Sequence, residues 1–235
     1  MVTPLVAPDP RLIQYYRFAF SHEYTASGTE TTNYGNARGG GMIVFNRFEF
    51  DLMPPPYLQH NTAAVSDGFG DTSFNGKVRI VSGGAEHGNF DVAASLARCF
   101  ATGSHTNGGR TDSFTPTLAG EFTGGHMSFI SGLAGTLPTG RIAAQGRTVT
   151  WNEAGQFHAT PHFWLEAENN ATFYLGGTHD GQTQNFVTPG GFYVLRRKAW
   201  APTHSFAVFG MGVQVATSGF HTYNHNWISE VRVLF

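Results

Sequence analysis

Charge is what this sequence has least of. Asp, Glu, Lys and Arg make up 13% of its 235 residues, about half of the roughly 25% found in ordinary soluble domains. Apolar residues do not fill the gap, at 40% against the usual share of about 45–50%. A large aliphatic core is therefore excluded as the main source of stability. The formal net charge is -2 with 11 histidines taken as neutral, and no basic run is longer than Arg196-Arg197-Lys198. That excludes the basic footprint of a nucleic-acid partner. No stretch approaches the roughly 20 consecutive apolar residues of a membrane-spanning helix. A helical membrane protein is excluded, but a barrel stays open, because its strands alternate and average out in hydropathy. The single Cys99 excludes an internal disulfide framework and reads as a small buried or lipid-facing residue. The opening residues 1–10, with prolines at 4, 8 and 10, have no basic n-region, apolar h-region or cleavage site. The expectation there is an N-terminal extension, or a mature, recombinant or truncated start, ahead of one domain over residues 11–235.

What the chain does have is glycine and phenylalanine, 30 and 21 of them, which suit turns and aromatic strands. Strand-like runs recur about every 20 residues between Gly/Asn/Thr/Asp-rich punctuation. Eleven are visible: 11–24, 42–52, 71–81, 89–101, 112–122, 126–137, 148–159, 162–174, 183–196, 205–217 and 226–235. Several alternate with period two. Val44, Phe48, Phe50 and Leu52 oppose Arg47, Glu49 and Asp51; Phe74, Val78 and Ile80 oppose Asn75, Lys77 and Arg79; Phe163, Leu165, Ala167, Ala171 and Phe173 oppose Glu166, Glu168, Asn170 and Thr172. One face suits lipid and the other a lumen. Glu153 and Arg98 break the pattern, each sharing a face with apolar residues. They are expected near the headgroups, or to mark a register one residue off.

The last strand sets Trp227, Val231, Val233 and Phe235 on one face and Glu230 and Arg232 on the other, and stops on Phe235. It resembles the C-terminal signal that bacterial outer-membrane barrels present to their insertion machinery. The connections at 123–125 and 160–161 are tight, whereas 102–111, 138–147, 176–182 and 218–226 are longer and polar. Barrels of this kind have short periplasmic turns and longer extracellular loops. With the last strand ending in the periplasm, every longer loop falls outside, and 54–70 becomes the largest of them. An odd count makes the 11–24 run start outside. Because bacterial barrels are even-numbered, a twelfth strand is expected upstream of Arg11 or missing.

Several blocks carry a family resemblance: Pro54-Pro55-Pro56-Tyr57-Leu58-Gln59-His60-Asn61, Asp67-Gly68-Phe69-Gly70-Asp71-Thr72-Ser73-Phe74, Pro116-Thr117-Leu118-Ala119-Gly120, Gly181-Gln182-Thr183-Gln184 and Phe220-His221-Thr222-Tyr223-Asn224-His225-Asn226. From about Pro10 to Phe235 the chain resembles a bacterial outer-membrane barrel family labelled as transporters or as proteins of the meta-pathway of phenol degradation. The resemblance implies a barrel of about twelve strands that passes hydrophobic compounds. It brings no catalytic residues, and the family's expected signal peptide and further N-terminal sequence are not in this chain.

Chemistry finds few footholds. His221 and His225 flank Tyr223 and Asn224 in a segment that reads as non-helical, with no Cys, Asp or Glu inside it to complete a metal site. His60, His105, His158, His162 and His179 are scattered singly. Phe129-Ile130-Ser131-Gly132-Leu133 lacks the first glycine of a Gly-x-Ser-x-Gly elbow, and Gly39-Gly40-Gly41 is not followed by Lys-Ser/Thr. The lumen-lining candidates are Arg17, Arg47, Glu49, Asp51, Lys77, Arg79, Glu121, Glu166, Glu168, Glu230 and Arg232. They can form cross-lumen salt bridges, line a solute path, or do both. Tyr57, His60, His105, His179, His221, Tyr223 and His225 are the extracellular-loop candidates. Tyr16, Trp151, Trp164, Tyr174, Tyr193, Trp200 and Trp227 suit interfacial girdles.

The reading is therefore an all-β, closed antiparallel transmembrane barrel of about 12 strands, within a range of about 10–12, in the bacterial outer membrane. Its role is passive passage of small, hydrophobic or aromatic compounds; the alternative is a non-conducting structural or surface-binding barrel. No catalysis, cofactor or metal is expected. The expected partners are the lipid bilayer, the barrel-assembly machinery through the C-terminal strand, and a small-molecule solute.

Overall fold

The structure, a computed structural model, describes residues 2–84, 89–196 and 205–235. The strands are β1 (Tyr15–Tyr24), β2 (Glu30–Val44), β3 (Phe48–Met53), β4 (Tyr57–His60), β5 (Gly68–Phe69), β6 (Thr72–Gly83), β7 (Asn89–Phe100), β8 (Ser113–Gly124), β9 (Met127–Pro138), β10 (Arg147–Thr160), β11 (Phe163–Leu175), β12 (Thr183–Arg196), β13 (Phe206–Ala216) and β14 (His225–Leu234). All pair antiparallel, and β14 pairs with β1 from Tyr15↔Leu234 to Tyr24↔His225, which closes the sheet. Closure leaves no edge strand to satisfy.

Fourteen ladder segments make a 12-stranded wall. β3 covers one half of β2, at Gly40–Val44, and β4 covers the other, at Thr31–Tyr34. Pro54-Pro55-Pro56 separates them, because proline has no N–H to give the ladder. β5 and β6 are split in the same way alongside β4 and β3.

The strand missing from the eleven runs is β2, not a segment upstream of Arg11. The run 42–52 is in fact two strands joined by a hairpin at Phe45-Asn46-Arg47, where Phe45 has φ 54° and Asn46 φ 59°. The loop has three residues, because Val44 pairs with Phe48, and Asn suits a positive φ within it. Glycine and asparagine through 33–41 conceal the rest of β2, since they carry no alternation. With β2 counted, β1 begins at the same end as the C-terminus, which overturns the expectation that the first run starts at the opposite end.

That end, the terminus end, has the tight turns at 45–47, 125–126 and 161–162. The opposite, loop end carries 25–29, 101–112, 139–146 with a short helix α1 (Ile142–Gln145), 176–182 with a 3-10 turn (Gly177–His179), and 217–224. Alternation sets the faces. Phe48, Phe50 and Leu52 point outward, with Glu49 and Asp51 buried inward; Trp227, Val231, Val233 and Phe235 point outward, with Ile228, Glu230 and Arg232 inward.

Residues 2–14 do not extend away from the barrel. They turn back into it from the terminus end, burying Val2, Pro4, Leu5, Ala7, Pro10 and Leu12. Val2 and Leu5 form a core with inward Trp164, Phe192, Val194, Val208 and Ile228; Ala7 packs on Ile130 and Ala154. Trp164 is therefore an inner-wall residue stacked on His158, with ring centroids 4.2 Å apart, and not part of a girdle. Tyr174 also turns inward, against Phe220 of the loop end. Tyr16, Trp151, Tyr193 and Trp227 are exposed on the outer face, and Trp200 lies outside the described residues.

Candidate functional site: the lumen and the segment that fills it

An eight-stranded barrel is just wide enough for its own side chains to fill, whereas porins of 16–18 strands leave an aqueous channel. At twelve strands the wall alone leaves room, and here residues 2–14 take it. Close approach is permitted by glycine on the inner face of β12 and β13. A Cβ on Gly190 or Gly212 would lie 2.7 or 2.6 Å from Leu5 Cδ1, so any larger residue at either position would force the Leu5 side chain to shift.

Residues 2–13 pair with no strand, and their backbone polar groups are met by the charged side chains of the wall. Glu166 Oε1 accepts the Leu5 N–H at 3.1 Å, and Glu168 accepts Val6 at 2.9 Å and Ala7 at 2.6 Å. Glu49 accepts the Ile13 N–H. In the other direction Arg232 donates to the carbonyls of Thr3 and Pro4, Arg17 donates to Leu5 O at 2.7 Å, and Lys77 donates to Arg11 O at 2.9 Å. Carboxylates thus hold N–H groups and cations hold carbonyls along the whole segment. Burying these charges would be costly unpaired, and charge-assisted bonds offset that cost.

The charges also pair with each other. Glu230 bridges Arg17 at 2.6 Å and Arg232 at 2.5 Å; Lys77 meets Glu49 at 2.6 Å; Arg79 meets Asp91 at 3.3 Å. Arg11, from the segment, reaches Asp9 at 2.5 Å and Glu121 at 3.2 Å. Asp51 is buried and accepts from Asn75 Nδ2 at 2.8 Å. Arg47 alone of the lumen candidates does not line the lumen. It sits exposed in the β2–β3 turn, because that hairpin lies where a continuous strand was expected.

Cavities lie between segment and wall. One of ≈ 280 Å³ is bordered by Val2, Arg11, Arg79, Asp91 and Arg232, and one of ≈ 200 Å³ by Pro8, Asp9, Glu49 and Lys77. Water occupies about 30 Å³ of liquid volume, so they have room for roughly nine and seven molecules.

Toward the loop end the inner wall becomes neutral. Asn170 Nδ2 donates to Asn152 Oδ1 at 2.7 Å, Gln214 Nε2 donates to Asn170 Oδ1 at 3.3 Å, and Tyr223 donates its hydroxyl proton to Gln214 Oε1. Tyr223 leaves loop 217–224 to stack on inward Phe186 at 4.4 Å. Burial there pushes its phenol above the usual tyrosine range. Sequence reading missed this amide row, although Asn152 and Gln156 alternate with Trp151 and Phe157 and so mark an inner face. It also missed the role of residues 2–14, of which 1–10 read as an N-terminal extension or truncated start and 11–14 as the beginning of the first strand run.

The loop-end candidates gather at one end but do not converge on one site. His60 Nε2 bonds Asn107 Oδ1 at 2.7 Å; His221 bonds Ser218 O and Asn224 Oδ1, both at 2.9 Å; His179 packs on Phe220; His105 lies in loop 101–112. Tyr57 and His60 belong to β4 and His225 to β14, where it stacks on Tyr24, so these three are strand residues and not loop residues. Among the described residues no three His, Cys, Asp or Glu gather as a metal site. Arg98 faces outward near the loop end and meets Asp112 at 2.8 Å. The Ala101 N–H and that guanidinium hold the Asp112 carboxyl below the usual carboxylate range.

No family profile and no curated protein sequence matches this chain. Solved structures do. An outer membrane channel from Pseudomonas putida F1 aligns over 100% of both chains, with a TM-score of 0.62 at 12% identity. The NanC porin aligns over 94% of this chain and 98% of its own, with a TM-score of 0.57 at 10% identity. At such identities the likeness is one of fold: a closed antiparallel barrel of the kind that outer-membrane channels use.

Proposed function

We propose that the protein is a passive channel of a bacterial outer membrane, reading out through its lumen, with residues 2–14 occupying the path in the conformation described. The observation that carries this reading is how the segment is held. It runs into β1 at Tyr15, where Gln14 O accepts the Phe235 N–H at 3.1 Å, but residues 2–13 are held by side-chain bonds from Arg17, Glu49, Lys77, Glu166, Glu168 and Arg232 and by the apolar packing of Val2, Leu5 and Ala7. Those side chains form a polar lining of both signs once the segment leaves. The fold shared with outer-membrane channels supports the same reading, as do the outward aromatic face and a C-terminal strand suited to the barrel-assembly machinery. The solute class is small and apolar or aromatic, which is what the resemblance to the phenol meta-pathway family adds.

Liposome swelling tests this with the full chain and with a variant lacking residues 2–13. The expected outcome is swelling near the blank rate for the full chain, and rapid, size-limited swelling for the shortened one. A second reading, a non-conducting barrel, is favoured by the filled lumen. It prevails if the shortened barrel, shown folded by heat-modifiable migration, passes no solute.

A further inference from the structure

The inner wall meets its charges with residues 2–14, but at mid-height on the outer wall, among the described residues, Glu153 is a charge that nothing meets. At mid-height across β8 to β12 the outer surface sinks into a depression of ≈ 1060 Å³. Its rim is apolar and exposed, with Leu118, Phe122, Phe129, Leu133 and Trp151 among its residues. Register makes the hollow. Gly155 stands opposite Phe129 on β9 and Ala167 on β11, so two small residues lie side by side beneath bulky neighbours. A Cβ on Gly155 would meet nothing closer than 3.8 Å, so its floor has space to spare. A volume of this order is at the top of the range of small-molecule sites, about 300–1,000 Å³.

A polar row crosses that floor. Ser131, Glu153 and Asn169 are direct cross-strand neighbours. Trp151 Nε1 donates to Ser131 Oγ at 3.1 Å, whereas Glu153 and Asn169 make no side-chain hydrogen bond or ion pair with any described residue. Glu153 is at the middle of the 14-residue β10, far from both rims of the wall. An ionisable group at that depth on a lipid-facing surface is unfavourable and calls for a partner. Its lateral and diagonal neighbours, Ser131, Asn169, Phe129, Leu133, Ala167 and Ala171, include no cation.

We propose that this depression binds one cationic amphiphile, a primary ammonium on an alkyl or aromatic body. The ammonium pairs with Glu153 and is held by Asn169, and the body lies over Gly155 and Ala167 between Phe129 and Trp151. Charge complementarity selects this occupant. A lipid acyl chain fills the hollow but leaves Glu153 unpaired, and a second copy presents another hollow with another carboxylate. The site is separate from the lumen, so it stands whether or not the barrel conducts.

Equilibrium dialysis of radiolabelled octylamine against the full chain in phosphatidylcholine nanodiscs, with empty nanodiscs subtracted, tests the site. One saturable site per barrel is expected, and 1-octanol should bind about tenfold more weakly because it lacks the ion pair. Glu153→Gln should weaken octylamine by about the same factor. Gly155→Leu, which fills the hollow and leaves the carboxylate in place, should remove saturation; heat-modifiable migration confirms that both variants are folded. The proposal is overturned if octylamine does no more than partition into lipid, if octanol binds equally well, or if either variant binds as the parent does. It is also overturned if Ser131→Cys, in a Cys99→Ser background, cross-links barrels to one another, which would give the face to a second copy.

Discussion

Glu168 and Glu153 stand one register step apart on neighbouring strands, Glu168 opposite Ala154 and Glu153 opposite Asn169, yet they face opposite sides of the wall. Glu168 is 2% exposed and accepts the N–H groups of Val6 and Ala7. Beside it Glu166 accepts from Leu5 and from Gln156 Nε2 at 2.6 Å. Glu153 has lipid-facing neighbours and no bond. The same side chain at nearly the same height is thus an anchor on one face and an unmet demand on the other. What distinguishes them is whether donors converge on the carboxylate, because low-dielectric surroundings magnify both a satisfied bond and an unsatisfied one.

Three substitutions sharpen that contrast. Arg232→Ala should have the largest effect. It removes two bonds to the Thr3 and Pro4 carbonyls and leaves buried Glu230 with Arg17 as its ion-pair partner. Breaking a buried pair from one side costs about 3–5 kcal/mol, to be read as a fall in the denaturant midpoint and faster proteolysis near the N-terminus. Glu168→Ala should cost about 1–3 kcal/mol by stranding buried N–H donors, with hydrogen exchange of Val6 and Ala7 rising while the wall amides stay protected. Unchanged exchange would mean that Glu168 is not what holds the segment, leaving the other side-chain bonds and the apolar contacts of Leu5 to do so. Glu153→Leu should have the smallest effect and the opposite sign, raising stability in bilayers by about 1 kcal/mol. A loss of stability there would show that the outer carboxylate has a partner within the barrel after all.

Much of the wall was legible along the chain, for a physical reason. A residue on a strand has only two faces to choose from, so Phe48, Phe50 and Leu52, or Trp227, Val231 and Val233, declare the outer one by alternation. Legibility failed where alternation did. β2 runs through Asn33, Gly35, Asn36 and Gly39 to Gly41, which declare no face, and its hairpin at Phe45-Asn46 carries no glycine to announce it. Trp164 was misplaced because an aromatic near a strand end suits a girdle equally well as an inner core, and only its partners Val2 and Leu5 decide between them. Arg98 and Glu153 broke the pattern alike in sequence. The fold separates them, Arg98 beside Asp112 at the loop end and Glu153 alone at mid-height.

By itself the sequence determined that the chain closes as an antiparallel barrel with an apolar exterior and a charged interior, since period-two patterning and turn chemistry are local properties. Tertiary structure alone decided what those interior charges do. A carboxylate at 166 or 168 and a guanidinium at 232 can pair across a lumen, line a path or grip a peptide. The choice fell to residues 2–14, which are more than 150 positions from those residues along the chain and have no strand pattern of their own. Bonds between a backbone with no ladder and side chains so distant exist only once closure has brought them together.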